Sequence, residues 1–233
     1  MALLSELEPS IEWLYPGVGE AAVARCGKPF PASAKAMTDS ADTTLFGSTS
    51  GSSSAALFYL RWGKQTFANV RPCVYYPGCA SPLANPEGID FVIIRENLED
   101  LYVRTEGDLQ ALAPLNLKSS TGGQLLHEMG AGRFAIKVMT EAGCDRFIRF
   151  AFELASKRAN KNKVAVTQKH NMLSHSDGLF KETAERIALE YPDITFECFI
   201  IDDFACRMLT HPQALDVVVM PNLTVTSCQT PPA

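Results

Sequence analysis

Apolar positions along the chain switch between a helical and an alternating or continuous pattern, and the switches mark out the elements. Residues 18–26 (VGEAAVARC) and 34–40 read as short helical pieces. A strand-like segment at 43–47 (TTLFG) and a polar loop at 48–54 (STSGSSS) follow. Residues 55–61 open a helix through Leu57, Phe58 and Leu60. Residues 67–76 and 89–95 (IDFVIIR) read as strands, the second almost wholly apolar, as a strand buried on both faces should be. Residues 104–131 are rich in Gly, Ser, Thr and Leu without a sustained period, which fits a mobile excursion or a protruding hairpin. The spacing of Phe147, Phe150, Ala151 and Leu154 predicts a helix over 142–158, and 163–168 (KVAVTQ) a short strand. A helix over 177–191 has Asp177 as N-cap, apolar Phe180, Ala184, Ile187 and Ala188, and Pro192 as its stop. A strand at 194–201, a helix at 203–209 and a strand at 215–220 (LDVVVM) complete the series. Strands alternate with helices, so the class is α/β.

Composition narrows the partners. The net charge is −5 and the basic residues are scattered, which argues against a nucleic-acid partner. A few arginines can still build a local positive pocket for a small anion in an acidic protein. No apolar stretch approaches the ~18 residues that a membrane span needs, so no membrane partner is expected. The seven cysteines show no CxxC and no Cys/His cluster with zinc spacing, and read as reduced thiols of the cytoplasm or mitochondrial matrix. His127, His170, His175 and His211 lack metal spacing, and no Gly-Lys-Ser/Thr follows the serine-rich loop to make it a phosphate loop.

Three arginines carry the candidate chemistry. Arg61 ends a helical turn, Arg71 sits in 69–72 (NVRP), and Arg95 leaves the buried strand at the head of 95–102 (RENLEDLY). Singly, each is an ordinary surface or salt-bridging residue. An arginine at the end of a buried strand is less ordinary, because open α/β sheets bind ligands there. Guanidinium forks hold carboxylates in bidentate fashion and keep their charge when desolvated. Three converging forks would suit a di- or tricarboxylate.

At this point the chain resembles the isocitrate/isopropylmalate dehydrogenase family. Residues 67–72 (FANVRP) and 95–102 are similar to the family's "FANxRP" and "REN(T/L)ED(I/L)Y" segments, with matching gaps of ten residues from Arg61 to Arg71 and 24 from Arg71 to Arg95. Residues 137–140 (KVMT), 168–171 (QKHN), 177–180 (DGLF), 190–194 (EYPDI), 201–205 and 216–222 follow further family segments in order, so the likeness covers roughly 40–223. It implies an isocitrate/isopropylmalate dehydrogenase-like fold. Residues 1–66 would be an incomplete large, cofactor-side domain, and 67–99 with 142–223 a small substrate and dimerisation domain. Residues 100–141 would be a clasp-like protrusion and 224–233 an aberrant tail. It also implies roles. Arg61, Arg71 and Arg95 would clamp the carboxylates of a small anionic 2-hydroxy acid, and Tyr102 would protonate the enol carbon after decarboxylation. Lys169 would take the hydroxyl proton, directly or through water, and Asp202 would ligate Mg²⁺ or Mn²⁺. NAD or NADP would accept the hydride. Lys169 and Asp202 would reach a neighbouring subunit's pocket, which makes a homodimer the expected partner.

Departures from the family pattern set further expectations. The opening strand and its Gly-Asp-Gly-Ile-Gly turn have no counterpart, and after 221–223 (PNL) the family's "YGDILSD" is replaced by TVTSCQTPPA. The chain is therefore expected to be cut short at both ends, with one carboxylate where the family places three. The isocitrate-type serine and asparagine near Arg61 are Ala55 and Leu57 here, and the isopropylmalate-type acidic residue is Ser54, which could still reach a carboxylate. The substrate stays open among isocitrate, isopropylmalate and tartrate types. The alternative reading is a non-catalytic subunit or relic that binds a carboxylate or a partner subunit. The expected outcome for this polypeptide is little or no dehydrogenase turnover. A steady-state assay with each of the three acids, Mn²⁺ and either nicotinamide cofactor checks it, and robust turnover would contradict it.

Overall fold

The computed structural model describes residues 2–47 and 51–227; residues 48–50 of the serine-rich loop and 228–233 of the tail, with Cys228, lie outside the described residues. The chain divides into two units, Met1–Gln65 and Thr66–Ala233.

The first unit holds α1 (Ala2–Leu7), α2 (Glu20–Cys26), α3 (Ala32–Ser40) and α4 (Ser54–Phe58), the last running on through a π-type turn at Tyr59–Gly63. Gly27 ends α2 at φ 72°, a left-handed conformation that glycine adopts without a Cβ penalty, and its N–H donates to the Val23 carbonyl at 2.8 Å. Tyr59 packs on Phe30 and donates to Asp39 at 2.5 Å, and Asp39 also pairs with Lys64 at 2.7 Å. The expected strand at 43–47 is not one. The described residues of this unit contain no other strand, and an isolated extended segment has nothing to pair with.

The second unit is built on a five-stranded sheet. Its strands are β1 (Ala68–Val74), β2 (Asp90–Glu96), β5 (Lys163–Gln168), β6 (Thr195–Ile200) and β7 (Val217–Met220), in the order β1-β2-β7-β5-β6. β1 is antiparallel to β2 and the other pairs are parallel. Pro72 is tolerated because β1 is an edge strand, where a missing N–H breaks no central ladder. Between β2 and β5 the chain forms the hairpin β3 (Glu106–Asp108) with β4 (Arg133–Ala135), which resolves the two readings of 104–131 in favour of a hairpin.

Residue alternation sends the sheet's side chains to two cores. Val92, Ile94, Val164, Val166, Val217 and Val219 meet α5 (Glu141–Arg158) and α6 (Ser176–Ala188) through Phe147, Ile148, Phe152, Phe180 and Ile187. Phe91, Ile93, Ala165, Val218 and Met220 meet α7 (Ile201–Thr210) through Phe204 and Met208. Helices on both faces explain why β2, β5 and β7 read as apolar runs without alternation. The final helix, α8 (Asn222–Ser227), follows β7 directly.

One local expectation is corrected. Asp177 does not cap α6; His175 stands at the cap, and Asp177 is buried one step inside the first turn with its carboxylate turned to Lys137 and the Lys169 N–H. The cap that does form is Thr140, which accepts from the Gly143 N–H at 3.1 Å at the head of α5.

The amino ends of the central strands are tied by charge. The wholly buried Asp216 accepts from Arg158 Nε at 3.0 Å and the Lys161 N–H at 3.1 Å, while Arg158 also reaches Asp90 at 2.9 Å. Removing Asp216 leaves Arg158 with Asp90 alone and strands the Lys161 N–H that the buried carboxylate accepts from. Asp216→Ala is expected to cost about 3–5 kcal/mol in urea unfolding, and a loss below about 1 kcal/mol would contradict a structural role for this clamp.

Candidate active site

The antiparallel register places Asn69 opposite Arg95 and Arg71 opposite Ile93, so Asn69, Arg71 and Arg95 share one face of the β1–β2 pair. It is the face that carries Phe91 and Ile93 into the α7 core. Arg95 sits at the carboxyl end of β2 and is only 7% exposed. Its Nε donates to both the carbonyl and the Oδ1 of Asn222 at 3.0 Å each, and its guanidinium lies over the Tyr102 ring, 5.0 Å from the centroid. Arg71 Nε donates to Asn69 Oδ1 at 3.0 Å. Burial and the neighbouring Arg95 charge both push the Arg71 guanidinium below its usual range.

Each guanidinium is therefore fixed in plane by an asparagine at Nε. Among the described residues no ion pair involves Arg71 or Arg95, and no hydrogen bond reaches either one's terminal nitrogens. Two cations held together without a carboxylate leave local positive charge with no internal counter-charge among the described residues.

Around this pair the chain turns sharply. Glu96 bends back to accept from the Leu98 and Glu99 N–H groups at 2.7 and 2.9 Å, and burial pushes its carboxyl above the usual range. Asp100 takes φ 66°, ψ −146°, a region almost reserved for glycine, and introduces the short turn Leu101–Val103 that carries Tyr102.

Lys169 and Asp202 meet elsewhere on the same sheet edge. Lys169 follows β5, Asp202 lies in the first turn of α7 after β6, and the two form an ion pair. With β7 between β2 and β5, Lys169 is two strand spacings, about 10 Å, from the column of Arg95. The structure thus joins Arg71, Arg95 and Tyr102 in one place and Lys169 with Asp202 in another. Arg61 and Ser54 belong to the first unit, at the two ends of the helical run of α4 and its π-type turn, where Arg61 stacks on Trp62 at 4.8 Å.

A divalent cation of the Mg²⁺ class wants several hard oxygen ligands. Among the described residues no group of three His, Cys, Asp or Glu could hold one, and Asp202 is engaged with Lys169. Nor do the described residues of the first unit supply the strand, glycine turn and helix that cradle a dinucleotide pyrophosphate. The residues present fit neither group.

Sequence reasoning missed four residues that shape the site: Asn222, which holds Arg95, and Asp100, Lys137 and Asp177, which form a buried ionic chain behind Tyr102. The only signal for them was their presence inside matching segments. The arginines themselves should differ in stability. Arg95→Met is expected to lose about 1–3 kcal/mol by stranding the Asn222 acceptors, whereas Arg71→Met relieves a like-charge pair and is expected to raise the denaturation midpoint. Equal losses in urea unfolding would make Arg71 a structural residue.

A family model described as isocitrate/isopropylmalate dehydrogenase matches residues 2–224. The 3-isopropylmalate/3-methylmalate dehydrogenase of Methanocaldococcus jannaschii is 34% identical over 217 residues, covering 91% of this chain and 58% of that protein. The 3-isopropylmalate dehydrogenase of Methanothermobacter thermautotrophicus is 31% identical over 221 residues, covering 95% and 60%. Among solved structures, isocitrate dehydrogenase from Methylococcus capsulatus superposes with a TM-score of 0.67 at 31% identity, over 89% of this chain and 57% of its own. The TT0538 protein of Thermus thermophilus gives a TM-score of 0.71 at 27% identity, over 96% and 42%. The chain spans between 42% and 60% of the length of these relatives.

Proposed function

The chain belongs to the isocitrate/isopropylmalate dehydrogenase family, and on that premise we propose that it serves the NAD(P)-dependent oxidative decarboxylation of a 3-substituted malate. The observation that carries this reading is the pair Arg71 and Arg95, cationic, fixed in plane and without a carboxylate among the described residues. Such a pair suits two carboxylates of one small acid, of the isocitrate, isopropylmalate or tartrate type.

In this reading Arg71 and Arg95 take the carboxylates with bidentate bonds, and the family resemblance gives Arg61 the role of a third fork. Tyr102, under the Arg95 guanidinium, gives its phenolic proton to the enol carbon left when CO₂ departs. Lys169 takes the proton of the substrate hydroxyl. The resemblance places Ser54 where the family's acidic residue stands, as a further residue for a substrate carboxylate. NAD or NADP would supply the hydride acceptor and Mg²⁺ or Mn²⁺ the charge that steadies the enolate, though the residues present fit neither group.

The family resemblance gives Lys169 and Asp202 to a second copy's pocket, and so a homodimer as the working assembly. In the isolated chain the two hold each other in an ion pair, which substrate in the facing pocket has to open. That engagement, and the lack of an acidic cluster among the described residues, equally favours the second reading, a non-catalytic subunit that binds a carboxylate or a partner subunit. The described cysteines are all free thiols, which supports a reducing compartment, the cytoplasm in this reading. The microbial relatives lend no support to the mitochondrial matrix. No helix among the described residues is long and apolar enough to cross a membrane.

Calorimetric titration with isopropylmalate, isocitrate and tartrate tests the site without requiring turnover. One of the three is expected to bind, and Arg71→Gln and Arg95→Gln each to weaken it about tenfold or more, the worth of one charge-assisted contact. Binding that survives both substitutions, or no binding of any of the acids, would sink the reading.

A further inference from the structure

We propose that Lys137 is a positioning residue whose ammonium ties the turn carrying Tyr102 to the loop carrying Lys169, so that two proton-handling groups share one buried ionic anchor. The proposal rests on the reading of Tyr102 and Lys169 as reacting groups, and deepens it.

Lys137 contributes to no described catalytic contact, yet it is largely buried between two carboxylates that are each 1% exposed. Its Nζ pairs closely with Asp177 Oδ1 and lies 3.7 Å from Asp100 Oδ1. Neither carboxylate ends there. Asp100 Oδ1 accepts from the Leu101 N–H at 2.8 Å and Oδ2 from the Leu223 N–H at 2.7 Å, at the start of the Tyr102 turn and of α8. Asp177 Oδ2 accepts from the Lys169 N–H at 2.8 Å. Every carboxylate oxygen is thus used, and three of the four fix a backbone amide at or next to the site.

Main-chain bonds extend the anchor. The Asp100 N–H donates to the Val138 carbonyl at 2.8 Å, and Val138 N–H returns to the Asp100 carbonyl at 3.4 Å, so the residue after Lys137 is stitched to the strained residue before the Tyr102 turn. A backbone at φ 66°, ψ −146° in a non-glycine residue persists only when its surroundings over-determine it. Lys137 is the one cation among those surroundings, in the described residues, that satisfies both acids. Without it, two buried carboxylates face each other across the site with no counter-charge, and the strained turn and the Lys169 loop lose their common support.

Amide hydrogen exchange on the full chain tests this independently of whether any malate binds. In Lys137→Met, exchange of the Leu101, Leu223 and Lys169 amides is expected to speed about tenfold or more, while core amides such as Ile94 and Val166 change less than about twofold. Lys137→Arg, which keeps the charge, is expected to restore most of the protection at those three amides. Unchanged exchange in Lys137→Met would overturn the proposal, as would failure of the arginine variant to rescue. A uniform rise at every amide, or loss of folding in the methionine variant, would also overturn it, because each marks a global core ion pair and not local positioning.

Discussion

Two guanidinium groups, held on one face of β1 and β2 with no acid among the described residues to neutralise them, are the constraint from which the rest follows. Like charges in a half-buried setting repel, and a fold tolerates that only where something else holds the groups or a ligand answers them. Here the holding is done by asparagines: Asn69 for Arg71, and Asn222 at the head of α8 for Arg95. Asn222 in turn donates from Nδ2 to the Glu99 carbonyl at 3.1 Å, so the last described helix, the arginine and the Tyr102 turn form one packed corner.

The strand order then separates duties. The chain passes from β2 to β5 and β6 and returns to β7 between them, so the carboxyl ends of the parallel strands present Arg95 at one position and Lys169 and Asp202 at others. That is the edge where open α/β sheets bind ligands. The opposite edge has a different task. There Asp216, Arg158, Lys161 and Asp90 satisfy one another and the strand amides, with no cation left over.

How much of this was legible in the sequence depended on whether the signal was local. The run from Phe91 to Ile94 announced a strand covered on both faces, and 163–168 and the helix through Phe147 and Ala151 were readable by period alone. Arg95 stood out because a charge after such a run has to sit at a strand end. Pairing could not be read. TTLFG has the composition of a strand but no neighbour, and Asp177 has the type and place of a cap but is drawn to Lys137, forty residues earlier in the chain. That Lys169 would face Asp202, and that Asn222 would hold Arg95 from 127 residues away, are products of strand order. Periodicity carries no information about it.

In the proposed reading Arg71 and Arg95 act as one anion site. The most direct measurement follows the arginine Nε–Hε resonances of the nitrogen-15-labelled chain during titration with isopropylmalate. The Arg71 and Arg95 signals are expected to shift together with a single dissociation constant, while those of Arg158 and Arg149, already paired with carboxylates, stay in place. Shifts confined to other arginines, or separate unrelated constants for the two, would contradict it.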